Sequence, residues 1–395
     1  MSIPVFDLHC DILLRWKLFN QDVRGHLLGG RRGQKRNLLP HTDIPRLADS
    51  SFRGLLAGVH SFISKQGSEA AFRTLLRQVR HLQWLARERP NSWALHTPGQ
   101  TWDLTEKLPL SVAPAIEGAH MLNADHPQMD ELAALGVVAV TLAHNRGNWA
   151  VPNGFIPGIA RNNLYTPGLE VSAYSTAGRR LVEGLVARGI AIDVAHVAGS
   201  AVREVIAHVK SLASQRGIPR IPVLCTHAGA RFTDPDLTVK PTGINFDAFA
   251  EGDMEDSPTR KDPAFRNISR HNARLIAETG GVIGIYVPPM FLGSGTDSQR
   301  VFEHVKAMAA VAGPEHVAIG TDYDGMIDLP KDHRDCRDFG KIATLITDYF
   351  GTKLAAGILH ENASRALNEI WACRDAAIRD EAERLGAEKL RLFEG

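Results

Sequence analysis

The stretch Val5-Phe6-Asp7-Leu8-His9-Cys10-Asp11 places an apolar run near the start of the chain and ends it in an imidazole and a carboxylate. In an extended strand successive side chains alternate faces, so His9 and Asp11 are expected on one face and Leu8 and Cys10 on the other. Converging from the end of a buried strand, such a pair makes half of a metal site. Taken alone, His-x-Asp reads as a buried histidine bonded to a neighbouring carboxylate. Recurrence decides against that reading, because an apolar strand followed by a ligand-type residue returns repeatedly down the chain.

The expected strands are residues 3–10, 55–62, 109–116, 137–143, 190–195, 221–226, 281–287 and 317–321, with 92–96 as a short extra one. Between them lie stretches of helical spacing at 69–89, 129–135, 175–188, 200–215, 272–278, 298–311, 342–350 and 361–372, with Ser200 a candidate N-cap. Strands that alternate with helices form parallel βα units, and eight of them predict an α/β fold, a closed (β/α)8 TIM-type barrel in one domain. An open doubly wound sheet would carry a glycine-rich phosphate loop after its first strand. His9-Cys10-Asp11 is no such loop.

A chain of 395 residues with a net charge of +1 offers no electrostatic attraction to nucleic acid or to an anionic membrane. Its four cysteines, Cys10, Cys225, Cys336 and Cys373, have no Cys-x-x-Cys spacing, which argues against a zinc ribbon or a redox motif and suits a reducing compartment. No stretch approaches the roughly 20 apolar residues of a membrane helix. Met1–Cys10 lacks a basic segment followed by an apolar one, so a cytoplasmic protein is expected. Residues 20–42, with Arg24, Arg31, Arg32, Lys35 and Arg36, read as a solvated loop. Residues 232–265, rich in Pro, Asp and Gly, read as an insertion after the sixth strand, acting as a lid or as the interface of a homo-oligomer, a dimer.

The ligand-type residues His9 and Asp11, Glu117, His144, His196, His227 and Asp322 each fall at the C-terminal end of an expected strand. In a barrel those ends meet on one face, where such enzymes carry their chemistry. His9, Asp11 and Glu117 suit one divalent ion, and His196, His227 and the other Glu117 oxygen a second. Imidazole and carboxylate donors without thiolate favour zinc over manganese, cobalt or iron. Two such ions can share a hydroxide and polarise a carbonyl. A nearby carboxylate is then needed to carry the proton to the leaving amine, and Asp322 suits that role.

With these residues in view, the chain resembles the membrane (renal) dipeptidase family, zinc peptidases of the amidohydrolase superfamily. The resemblance is carried by Asp7-Leu8-His9-Cys10-Asp11, His41-Thr42-Asp43-Ile44-Pro45-Arg46-Leu47, Ala115-Ile116-Glu117-Gly118, Thr141-Leu142-Ala143-His144-Asn145, Asp193-Val194-Ala195-His196-Val197, Thr226-His227, Gly280-Gly281-Val282-Ile283-Gly284 and Ile319-Gly320-Thr321-Asp322-Tyr323-Asp324-Gly325. It implies that His9 and Asp11 bind one zinc, that Glu117 bridges, and that His196 and His227 bind the other. It further implies that His144 meets the scissile carbonyl, that Asp322 shuttles the proton, and that Arg266 receives the carboxylate of a small dipeptide substrate, C-terminal D-residues included.

The chain departs from the family in the longer segment between His227 and Arg266, in Arg270 where an acidic residue is usual, and in Ala228-Gly229 in place of Ser-Asn. His60 ends a strand, but the family does not use that position, so it reads as a buried structural histidine. His120 and Arg231 read as loop residues, and Asp324 as support behind Asp322. No expected strand ends in Lys, which disfavours the branch that bridges its metals with a carboxylated lysine. Two other readings are a specialised amide hydrolase on the same site and a non-catalytic binding protein on an inactivated barrel. Intact Glu117, His144 and Asp322 weigh against the second.

Overall fold

The computed structural model describes residues 3–19, 40–60, 67–123, 126–145, 147–154, 171–232, 266–293 and 296–375. Most of the basic segment 20–42 and all but Phe232 of the segment 232–265 lie outside the described residues.

Nine apolar runs become strands: β1 Val5–Cys10, β2 Phe52–Val59, β3 Trp93–Leu95, β4 Leu110–Glu117, β5 Ala139–Thr141, β6 Ala191–Asp193, β7 Leu224–Ala228, β8 Val282–Ile285 and β9 Val317–Ile319. All are paired in parallel, in the order β2-β1-β9-β8-β7-β6-β5-β4-β3. A further parallel pairing of β2 with β4, from Gly54↔Ser111 to Val59↔Ile116, closes an eight-stranded ring and leaves β3 outside it on β4. The expected TIM barrel is therefore the fold, and β3 is the short extra strand. Because every strand runs the same way, all C-terminal ends open on one mouth.

Phe6, Leu8, Leu56, Ala113, Ala139, Ala191, Leu224, Val282 and Ala318 fill the inside of the ring, closed by Leu367 and Ile370 of the helix Asn362–Ala372. Close strand approach there demands small residues. A Cβ on Gly284 or Gly320 would meet the Thr226 carbonyl oxygen at 2.0 and 1.8 Å.

Strict alternation along β1 fails at its end. Leu8 packs inside the ring beside Phe6, whereas Cys10 packs in the outer layer. A register irregularity between Asp7 and Cys10 re-aims the backbone, so that His9 also turns to the mouth. Asp7 holds the irregularity by accepting the His9 amide at 3.1 Å. The outer helices follow the expected spacing, several with side-chain N-caps at Ser68, Ser175, Ser269 and Asp297. Ser200 is not a cap. Its helix, Gly199–Gln215, begins one residue earlier, with Ala198 at the N-cap and no side-chain cap bond.

On the helix Ser298–Ala312, His304 is buried and accepts the Ala230 amide at 3.1 Å through Nδ1, steadying the loop that follows His227. Burial pushes its pKa down from 6.5 to about 4. The unfolded chain then binds the extra proton between those values, so this contribution to stability is complete above pH 6.5 and is lost as pH falls towards 4. Urea unfolding at pH 7 and pH 5 should show wild type losing about 2 kcal/mol more than a His304→Gln variant. Equal losses would remove His304 as the cause.

Candidate metal centre

Seven strands of the ring deliver the candidate site, His144 following β5 among them. His9 and Asp11 leave β1, His60 follows β2, Glu117 is the last residue of β4, His196 follows β6, His227 lies within β7 and Asp322 follows β9. His196 and Asp322 turn into the left-handed region, with φ of 65° and 62°, a conformation that non-glycine residues rarely adopt and that clusters at functional sites. Buried hydrogen bonds hold them there. Asp7 accepts the Thr321 amide and hydroxyl at 2.8 and 2.6 Å, and Asp193 accepts those of Thr226 at 2.8 and 2.6 Å. Each threonine immediately precedes a site residue, Asp322 or His227, so each aspartate sets the direction of a functional side chain.

Glu117 lies at the centre. Its Oε1 is 3.5 Å from His9 Nε2, 3.2 Å from His196 Nε2 and 3.3 Å from His227 Nε2. Asp11 Oδ1 lies 3.6 Å from His9 Nε2, and the His196 and His227 Nε2 atoms are 3.2 Å apart. Donors about 2.0–2.1 Å from a tetrahedral cation stand roughly 3.3 Å from one another, so these spacings fit ligands better than hydrogen bonds. Among the described residues three donor groups have mutual distances within 4.8 Å: His9 with Asp11 and Glu117, Glu117 with His196 and His227, and His9 with His227 and Asp322.

The proton pattern agrees. The Thr226 hydroxyl donates to Asp193, so it accepts from His227 Nδ1–H at 2.8 Å, and the Nε2 lone pair of His227 is left facing Glu117. Burial pushes His196, His227 and His144 well below the usual imidazole pKa, and neutral rings can ligate. Burial opposes a charge on His9 as well, but Glu117 and Asp11 outweigh it and raise its pKa to about 10. Asp11, Glu117 and Asp322 are all buried around it, and Asp11 Oδ1 and Glu117 Oε2 have no hydrogen-bond partner. Buried carboxylates in this number demand positive charge, and a divalent cation meets that demand.

His144, just beyond β5, brings Nε2 to 3.4 Å from Glu117 Oε2. Arg266 is buried, and none of its guanidinium nitrogens has a hydrogen-bond partner among the described residues. It lies 5.3 Å over the Tyr286 ring and lines a small cleft with His196, Arg231, Asn267 and Ser269. Arg231, set aside from sequence as a loop residue, therefore shares the Arg266 cleft. Asp324 supports from behind, accepting the His41 and Thr42 amides at 2.8 and 3.1 Å. His120 is buried with its ring 6.3 Å from His144, outside the donor groups. His60, read from the sequence as a structural histidine, is buried and also lies outside the donor groups, yet it borders them. Its Nδ1 sits 3.5 Å from Asp11 Oδ1 and 3.4 Å from Glu117 Oε2.

The family model for membrane dipeptidases, peptidase family M19, matches residues 1–236 and 257–379. The chain belongs to the membrane dipeptidase family. It is a hydrolase of that metallopeptidase family, and residues 237–256, within the expected insertion, fall outside the match. A curated relative, dipeptidase ataJ of Aspergillus terreus, is 23% identical over 415 residues, covering 96% of this chain and 87% of the relative. Among solved M19 structures, dipeptidase AC aligns with TM-score 0.70 at 20% identity, over 94% of this chain and 99% of that one. A metallopeptidase of Rhodobacter sphaeroides, liganded with a phosphinate mimic of the dipeptide L-Ala-D-Ala, aligns with TM-score 0.70 at 19% identity, over 94% and 100%. The family name notwithstanding, no helix among the described residues is long and apolar enough to cross a membrane.

Gly58 shows how tightly the mouth of this M19 barrel is built, since a Cβ there would meet Asp11 Oδ1 at 2.4 Å and His9 Cε1 at 3.2 Å. Gly58→Ala should leave the folded circular dichroism spectrum intact and strip metal from the centre, as read by elemental analysis after dialysis. Wild-type metal content in the variant would contradict the tight packing of β2 against the ligands.

Proposed function

We propose that this chain is a two-zinc dipeptidase that cleaves the amide of dipeptides, including those with a D-configured C-terminal residue. The observation that carries this reading is the pair of donor groups that share Glu117 beside a buried Arg266 whose guanidinium has no hydrogen-bond partner among the described residues. The ligand bound by the similar Rhodobacter sphaeroides enzyme, a dipeptide mimic ending in D-Ala, supports the substrate class.

His9, Asp11 and Glu117 would hold one ion, and Glu117, His196 and His227 the other. Bound there, the ions would acidify the attacking water and polarise the amide carbonyl. Arg266 receives the substrate carboxylate through a charge-assisted pair. His144, neutral through burial, donates a hydrogen bond to the oxygen that gains charge. Asp322 moves the proton. Burial raises its pKa to about 7, so near neutral pH it can take a proton from water and return one to the amine. The segment 232–265 covers the site or joins the subunits of a homodimer, and the enzyme works in the cytoplasm. The family match skips 237–256, which favours as a second reading a specialised amide hydrolase that uses the same centre.

Turnover of an L- and D-dipeptide panel, with zinc measured on the same sample, tests the proposal. Activity with about two zinc ions per chain is expected. Uniformly negligible turnover with zinc present would favour the specialised hydrolase, and full activity without any divalent metal would end the two-metal reading. Asp322→Asn should lower kcat by about 10²–10⁴ with zinc retained. Since the ionised form is the competent one, kcat/KM should rise with pH through a limb at or below 7, the bound cations drawing it down. Arg266→Met should raise KM about 10–100-fold and change kcat less.

A further inference from the structure

We propose that His60 is a further protein donor to the cation held by His9 and Asp11, through Nδ1. This rests on the two-cation reading above and adds to it a ligand that the family resemblance does not supply.

Topology puts His60 where a donor is needed. In the ring, β2 is flanked by β1, which carries His9 and Asp11, and by β4, which ends in Glu117. The pair Val59↔Ile116 sets His60 level with Glu117. Gly58, two residues earlier on the same face of the strand, already lies against Asp11 and His9. The inner face of β2 is therefore the wall of the centre, and His60 is its last side chain.

His60 stands outside the three donor groups found among the described residues, but its distances to two of their members match those of His9. His60 Nδ1 is 3.5 and 3.4 Å from Asp11 Oδ1 and Glu117 Oε2, while His9 Nε2 is 3.6 and 3.5 Å from Asp11 Oδ1 and Glu117 Oε1. An imidazole N–H donating to either carboxylate would stand nearer, at about 2.7–2.9 Å. Both oxygens that His60 faces lack a hydrogen-bond partner, and His60 is buried from competing water. With His60 included, each cation has two imidazoles and a share of Glu117. Without it, the first has only one imidazole.

The test titrates the metal-free full-length chain with Zn²⁺ against a competing chelator, and with Co²⁺ followed by visible absorption, for wild type, His60→Ala and His60→Gln. Wild type should take up two equivalents. Each variant should keep one at wild-type affinity and bind the other about tenfold or more weakly. The cobalt absorption of the weakened site should change as a nitrogen donor is lost. Glutamine preserves length and can donate a hydrogen bond to both carboxylates, but it is a poor ligand. A His60→Gln protein with wild-type affinity and cobalt spectrum would overturn the inference, as would two unaltered equivalents in His60→Ala. Matching melting temperatures of the metal-free forms would show that the loss is local. A wild-type chain that binds no metal would instead overturn the two-cation reading itself.

Discussion

The structure depends on one electrostatic constraint: the mouth of the barrel gathers carboxylates that protein groups alone do not neutralise. Glu117, Asp11 and Asp322 are buried within a few ångströms of His9. The cost of an isolated buried charge far exceeds what a single hydrogen bond returns. Glu117 Oε1 is ringed by three imidazole nitrogens at 3.2–3.5 Å, and at least two of those rings are held neutral by burial. Lone pairs and carboxylate oxygens that converge in this way repel one another unless a cation stands between them. The fold thus keeps a demand for metal as part of its native geometry.

That geometry is maintained from behind by Asp7 and Asp193, whose threonine partners each precede a site residue. Asp7 also accepts the amide of His9, and Asp193 that of Ala195, the residue before His196. Each of these carboxylates therefore fixes a candidate site residue on its own strand and another on a neighbouring strand. Left-handed φ angles at His196 and Asp322 are tolerated because these bonds over-determine the local backbone.

Much of this was legible in the chain. The parallel alternation and the ligand-type residues at strand ends specify the barrel and the mouth, because both depend on local periodicity and on strand direction. Side-chain aim was less legible. Perfect alternation along β1 would have turned either Leu8 or His9 away from the lumen, and the irregularity held by Asp7 sends both inward together. The helix Gly199–Gln215 starts before Ser200 because Ala198 already has the extended backbone of a cap. His60 ends an expected strand, as the candidate ligands do. The family resemblance points away from it, and what brings it beside Glu117 is the closure of β2 onto β4, a tertiary fact. Arg231 joined the Arg266 cleft for a similar reason, through the parallel bridge between Ala230 and Ile268.

Anomalous diffraction at the zinc edge from crystals of the zinc-loaded protein addresses the central claim directly. Two peaks about 3.5–4 Å apart are expected, one against His9 and Asp11 and one against His196 and His227, with a Glu117 oxygen on each. No peak at these residues, or a lone peak that does not touch Glu117, would contradict the account.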